Sequence, residues 1–152
     1  MILPAIKVAA AKAKAATVSA VTSPFFDFNS DLLGLTGTLY GEARGQSREA
    51  KEDVAQVILN RTHSPYWQST VHEVCLAKSQ FSCWNSNDPN RAQIIAASLR
   101  KPKDIWWAEC LDVASRALVG DNPDRVKGAD SYYASKSIRP WWADPKYRPV
   151  VT

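Results

Sequence analysis

Glu42 lies in Leu39-Tyr40-Gly41-Glu42-Ala43-Arg44-Gly45, between two glycines at the end of a run with helical spacing. At a helix C-terminus a carboxylate faces the negative pole of the macrodipole, a cost of ~0.3–1 kcal/mol. Partial burial beside Leu39 and Tyr40 would add to that cost and favour the protonated form. A carboxyl that keeps its proton is what a general acid needs to protonate a leaving oxygen. Gly41 and Gly45 would leave room for a bulky ligand. The competing reading is a solvated glutamate paired with Arg44 or Arg48.

Two further stretches could meet a substrate. Gln80-Phe81-Ser82-Cys83-Trp84-Asn85 combines an amide, a hydroxyl and an indole. Such groups hydrogen-bond sugar hydroxyls and acetamido groups and stack on sugar rings. An ordinary loop anchored by buried Phe81 and Trp84 would explain the same residues. Asp130-Ser131-Tyr132-Tyr133-Ala134 reads as a short strand, followed by Pro140-Trp141-Trp142-Ala143. Adjacent strand residues point to opposite faces, so one tyrosine can line a cleft and the other belongs to the core. At least one of the two tryptophans should be core as well. Glu42 is thus the candidate catalytic residue. Tyr40, Gln80, Phe81, Ser82, Trp84, Tyr132, Tyr133 and Trp142 are the candidate substrate-binding residues.

The elements that must position them are mostly helices. Asn29-Ser30-Asp31 offers a cap, and Leu32, Leu35, Leu39, Tyr40 and Ala43 keep helical spacing until Gly45. Ser47 caps a second helix with Val54, Val57, Ile58 and the stem of Arg61 on one stripe, ended by Pro65. A shorter helix is expected near Thr70–Lys78, with Val71, Val74 and Cys75 inward. Residues 79–90 read as loop or hairpin. Arg91–Arg100 is helical up to Pro102. Asp104 then caps a long helix carrying Ile105, Trp106, Glu109, Cys110, Val113, Ala117 and Leu118, closed by Gly120. The last thirty residues are loop with a short strand at Ser131–Ala134. The expected fold class is mainly α, an α+β single domain with a minor β element.

Composition narrows the function classes. A chain of 152 residues with 45% hydrophobic and 22% charged residues can bury a core as one domain. No apolar stretch reaches the ~18 residues of a membrane-spanning helix. The net charge of +4 leans mildly toward polyanionic surroundings such as nucleic acid, anionic lipid or an anionic wall. Residues 1–28 differ from the rest: Ala-rich, with Lys7, Lys12 and Lys14 as their only charges before Asp27. In a signal peptide the lysines would precede the apolar run; here they interrupt it. A cationic tail that touches anionic membrane or wall is the expectation, with residues 29–152 as the catalytic domain.

Tyr-Gly-Glu-Ala-Arg-Gly at 40–45, Val-Ile-Leu-Asn-Arg at 57–61, Gln-Phe-Ser-Cys-Trp at 80–84 and Pro-Trp-Trp-Ala at 140–143 occur in that order. The set resembles the SleB-like cell-wall hydrolases, which include spore cortex-lytic enzymes and phage endolysins. The resemblance covers about residues 32–145. It implies a lysozyme-like or lytic-transglycosylase-like fold and cleavage of the glycan strands of peptidoglycan, and it puts the catalytic glutamate at Glu42. Many members carry a His where this chain has Tyr133, which speaks against a catalytic imidazole there.

A two-carboxylate glycosidase needs a second Asp or Glu ~5–9.5 Å from the acid. Glu49, Glu52 and Asp53 are the nearest in sequence, and they look like helix-dipole partners. One acid suffices if the C6 hydroxyl of N-acetylmuramic acid closes onto C1, giving a 1,6-anhydro product. That is lytic transglycosylation; hydrolysis by a positioned water is the alternative. No cofactor is expected. His63, His72, Cys75 and Cys83 are possible zinc ligands, but their spacing fits no standard site, so no metal is expected either. Cys75 and Cys83 could pair in an oxidising compartment, but the favoured reading is two small buried residues. A monomer acting on peptidoglycan and not on nucleic acid is the resulting expectation. The rival of another class is a non-catalytic wall or nucleic-acid binding module. Small size and no convincing signal favour a phage endolysin, made in the host cytoplasm and released through a membrane pore; otherwise the cell envelope is expected.

The tail gives a first prediction. Each lysine near an anionic surface is worth ~1 kcal/mol, screened within a Debye length of ~8 Å at physiological salt. A protein starting near Asp27 should digest soluble glycan strands at the full rate. On membrane-stripped cells it should be slower at low salt, with the gap closing as salt rises. Equal rates on cells at every ionic strength would leave the tail without this role.

Overall fold

The computed structural model describes residues 28, 30–100, 104–132 and 140. Most of the 1–28 tail lies outside these residues, as do Tyr133, Ala134, Trp141 and Trp142. Five α-helices make up the described part: α1 (Asp31–Ala43), α2 (Arg48–Thr62), α3 (Val71–Leu76), α4 (Pro89–Leu99) and α5 (Ile105–Leu118), with a 3-10 turn at Ser82–Trp84. The fold is mainly α, as expected. The minor β element is not found among the described residues: Ser131 and Tyr132 form no strand.

Capping explains where the helices begin. The Ser30 hydroxyl accepts from Leu33 N–H, Ser47 from Ala50 N–H and Asp104 from Trp107 N–H. Each satisfies one of the donors that a helix start leaves open. Asp88 caps α4, with Pro89 in its first turn, so this helix starts two residues before the expected Arg91. Two helices end earlier than expected, α2 at Thr62 and α3 at Leu76. Gly120 follows α5 with φ 74°, the left-handed geometry that glycine adopts without strain.

α1 is the centre of the molecule, packed by α5, α3, α4 and α2. Buried residues therefore run all round it, from Gly34 through Tyr40 and on to Ala43. Its two inward hydroxyls are satisfied locally, Thr36 on Leu32 C=O and Thr38 on Gly34 C=O. Leu35, Leu39, Ile58, Val74, Ile94, Trp107 and Val113 fill the core around it.

The expected face of α5 is corrected at its start. Ile105 and Trp106 are exposed, while Trp107, Cys110, Val113, Ala114 and Ala117 face inward. Trp107 sets this rotation by packing on Tyr40, ring centroids 5.7 Å apart. Leu32 likewise faces outward on α1. A fully buried cation that the sequence did not single out, Lys51, joins α2 to α5. Its ammonium donates to Gln46 C=O at 2.9 Å, pairs with Glu109 at 3.2 Å and lies 5.1 Å from the Trp106 ring centre.

Two glycines one turn apart let the 82–84 turn sit directly on α1. A Cβ at Gly37 would lie 2.8 Å from the Trp84 ring, and one at Gly41 would lie 2.6 Å from Cys83 Cβ. Gly41→Ala should therefore destabilise by ~1–3 kcal/mol through overpacking. An exposed helix would instead gain up to ~1 kcal/mol from the same change. Urea denaturation reads the sign; a raised midpoint would contradict this packing.

Candidate active site

The 82–84 turn and the last turns of α1 bring two of the three sequence stretches together. Trp84 Nε1–H donates to Thr38 Oγ1 at 3.0 Å, and one turn later the Cys83 backbone N–H donates to Glu42 Oε1 at 3.4 Å. The second contact is long for a hydrogen bond, and the Cys83 thiol adds a side-chain hydrogen bond to the same carboxylate. Glu42 itself is exposed, which corrects the expected partial burial. The space expected at Gly41 is filled by Cys83 and Ile94, whereas Gly45 has nothing within 4 Å of a Cβ position.

Neither arginine expected as a partner reaches Glu42. Arg44 donates to Tyr40 C=O, Asn90 and Gln93 and stacks 5.2 Å from the Tyr40 ring centre. Arg48 is engaged by Glu52 and Asp112. Among the described residues no cation pairs with Glu42.

Two of the three carboxylates nearest in sequence have other work. Glu52 takes Arg48 at 3.0 Å and Arg125 at 2.8 Å, and Asp53 takes Arg125 at 3.0 Å. Burial pushes the Glu52 carboxyl up, but the hydrogen bonds and charges of Arg125 and Arg48 outweigh it and hold the group below its ordinary value. Arg125 also donates to Glu49 C=O. These contacts fasten the 120s segment to the first turns of α2.

Tyr132 carries the third stretch toward Glu42. Its hydroxyl is pushed up to about 12, first by burial and then by the Glu42 charge, while Arg61 pulls it down. The residue as a whole stays 43% exposed. Asn60 and Arg61 at the end of α2 fix the backbone just before it. Asn60 Nδ2 donates to Ala129 C=O at 2.9 Å and Arg61 Nε to Asp130 C=O at 2.7 Å. Trp67 Nε1–H adds a bond to the Asp130 carboxylate at 3.2 Å.

Arg61 is the residue whose importance the sequence understated. Only 7% exposed, it places its guanidinium 4.2 Å from the Trp67 ring centre and 5.4 Å from that of Phe81. It therefore links the base of the 82–84 turn to the segment that carries Tyr132. Burial lowers its pKa, and its Nη1 is buried with no hydrogen-bond partner among the described residues. The Asn60-Arg61 pair within the 57–61 motif was the signal available.

The remaining candidates are placed as follows. Tyr40 is buried, donates to Asp104 Oδ2 at 3.2 Å and faces α5. Two positions apart on a helix, Tyr40 and Glu42 point roughly opposite ways. Phe81 is core, and Trp84 is half-buried against Phe28, ring centroids 5.0 Å apart. Gln80 and Ser82 are exposed on either side of Phe81. Gln80 opens into a groove with His72 and Lys78, and no described contact brings it to Glu42. Tyr133 and Trp142 lie outside the described residues.

Cys75, Cys83 and Cys110 are free and buried, as small core residues are. His72 pairs with Asp31 and His63 with Leu59 C=O, and among the described residues no three potential ligands converge on a metal position. Burial pushes the Cys75 and Cys110 thiols up to about 12 and Cys83 higher still, the last helped by the Glu42 charge. A thiol needs its thiolate to react. The native protein should resist a disulfide-exchange reagent at pH 8, and in denaturant all three thiols should react. Rapid native modification of Cys83 would contradict its packing on Gly41.

The chain is similar to known proteins. The profile of the cell wall hydrolase family matches residues 45–152, beginning just after Glu42. A spore cortex-lytic enzyme of Bacillus subtilis (strain 168) is 36% identical over 72 residues, 47% of this chain and 24% of the relative. The matched stretch thus spans about a quarter of that relative's length. No solved structure matches the chain. The family match covers most of the sequence: the chain belongs to the cell wall hydrolases.

Proposed function

We propose that this chain cleaves the β-1,4 bond between N-acetylmuramic acid and N-acetylglucosamine in peptidoglycan, with Glu42 as its single catalytic carboxyl. The observation that carries the reading is the contact of Glu42 with the 82–84 turn, set against the paired carboxylates Glu52 and Asp53. Glu52 and Asp53 are held by Arg48 and Arg125, while Glu42 is exposed, pairs with no described cation and accepts only from Cys83 among the described residues. A carboxyl without a paired cation can exchange its proton with a substrate; one clamped by guanidinium stays ionised. Family membership and the resemblance to a spore cortex-lytic enzyme support the substrate class.

With one carboxyl, the reaction that balances without a second is lytic transglycosylation. Glu42 gives its proton to the bridging oxygen as the C1–O bond breaks. The C6 hydroxyl of the muramoyl residue then bonds to C1, and its proton returns to Glu42. The carboxyl ends as it began and no water is consumed. Tyr132 stays protonated across the working pH range, so its hydroxyl can donate to the sugar beside Glu42. The bacteriolytic setting we favour is that of a phage endolysin acting on the wall after release through a membrane pore.

Mass spectrometry of digested peptidoglycan tests the reaction type. The expected muropeptides carry 1,6-anhydro ends and are lighter by one water than hydrolytic products. Reducing N-acetylmuramic ends would assign hydrolysis, and reducing N-acetylglucosamine ends would place the cut at the other bond.

A further inference from the structure

Away from Glu42, a groove of about 570 Å³ opens beside α3, lined among others by Gln68, His72, Glu73, Lys78 and Gln80. Its lining mixes both charges with two primary amides. Ser79 holds φ 65°, a conformation uncommon for a side-chain-bearing residue, between the two lining positions 78 and 80. Backbone outliers of this kind gather at functional sites. His72 is fixed from behind, because Asp31 Oδ1 takes both its backbone N–H at 2.9 Å and its Nδ1 at 2.8 Å. A carboxylate only accepts, so Nδ1 carries the hydrogen and Nε2 is the ring nitrogen left for a ligand. Lys78 is exposed and forms no ion pair among the described residues.

We propose that this groove binds the peptide stem of the peptidoglycan substrate, an inference that rests on the reading of Glu42 given above. The stem is a short peptide amide-linked to the muramoyl lactyl group, with free carboxylates, an amine and several backbone amides. Lys78 faces its carboxylates, and the amides of Gln68 and Gln80 suit its backbone. The spacing agrees. His72 packs against Gly34, whose Cβ position lies 3.2 Å from His72 Cβ. Gly34 precedes Glu42 by eight positions, ~12 Å along the helix axis. Three or four extended peptide residues span ~10–14 Å. The length of a stem therefore matches the axial separation between Glu42 and the Gly34–His72 contact.

The test is binding, which needs no cleavage. The full chain is titrated at low salt with acetyl-L-Ala–γ-D-Glu–L-Lys–D-Ala and followed by NMR. Shifts should cluster at Gln68, His72, Lys78 and Gln80. Lys78→Glu should weaken binding by up to about fivefold, the scale of one exposed ion pair. Arg91→Glu makes the same charge change at another exposed site and should leave binding as it is. Shifts elsewhere, no binding at ~10 mM peptide, or equal weakening by both charge reversals would overturn the proposal. A stem site could survive failure of the Glu42 reading, since the peptide titration does not depend on turnover.

Discussion

The close approach of the 82–84 turn to α1 is the contact on which the candidate site depends. Gly37 and Gly41 remove the two Cβ atoms that would hold the turn away. Trp84 then reaches Thr38 and Cys83 reaches Glu42. Both bonds come from one short segment to positions one helical turn apart, so the turn has a single register on the helix. The Tyr-Gly-Glu and Gln-Phe-Ser-Cys-Trp motifs are thus two halves of one joint. The glycine beside the glutamate admits protein, not ligand.

The joint is held from the other side by Arg61. Its guanidinium lies between the Trp67 and Phe81 rings while its Nε binds Asp130 C=O. Charge–aromatic contacts of this type gain strength when desolvated. One side chain so ties the turn that touches Glu42 to the segment that ends in Tyr132. Lysine could supply the charge but not the planar fork. Arg125 does the corresponding work farther out, closing the 120s loop onto Glu52 and Asp53.

Helix positions were legible because their signals are local. Ser30, Ser47 and Asp104 each cap where a capping side chain precedes an apolar run. The position of Glu42 in the last turn of α1 could be read the same way. What failed depended on tertiary partners. Ile105 and Trp106 have the right spacing for a core stripe, yet Trp107 meets Tyr40 and turns them outward. Gly41 looked like an opening because the sequence cannot say what approaches it. Lys51 and Arg61 are charged residues in helical stripes, and their burial depends on Glu109, Trp106, Trp67 and Phe81, up to 58 positions away. The amide and hydroxyl of Gln80 and Ser82 were read as one cluster; both are exposed, with the buried Phe81 between them.

The most direct measurement is turnover of purified peptidoglycan by Glu42→Gln, with thermal unfolding followed on the same preparation. Glutamine keeps the shape and can still accept the Cys83 N–H, so unfolding should barely move. It has no proton to give a leaving oxygen, so the account predicts activity below a few per cent of the unsubstituted protein. A folded Glu42→Gln protein that releases muropeptides at a comparable rate would contradict it.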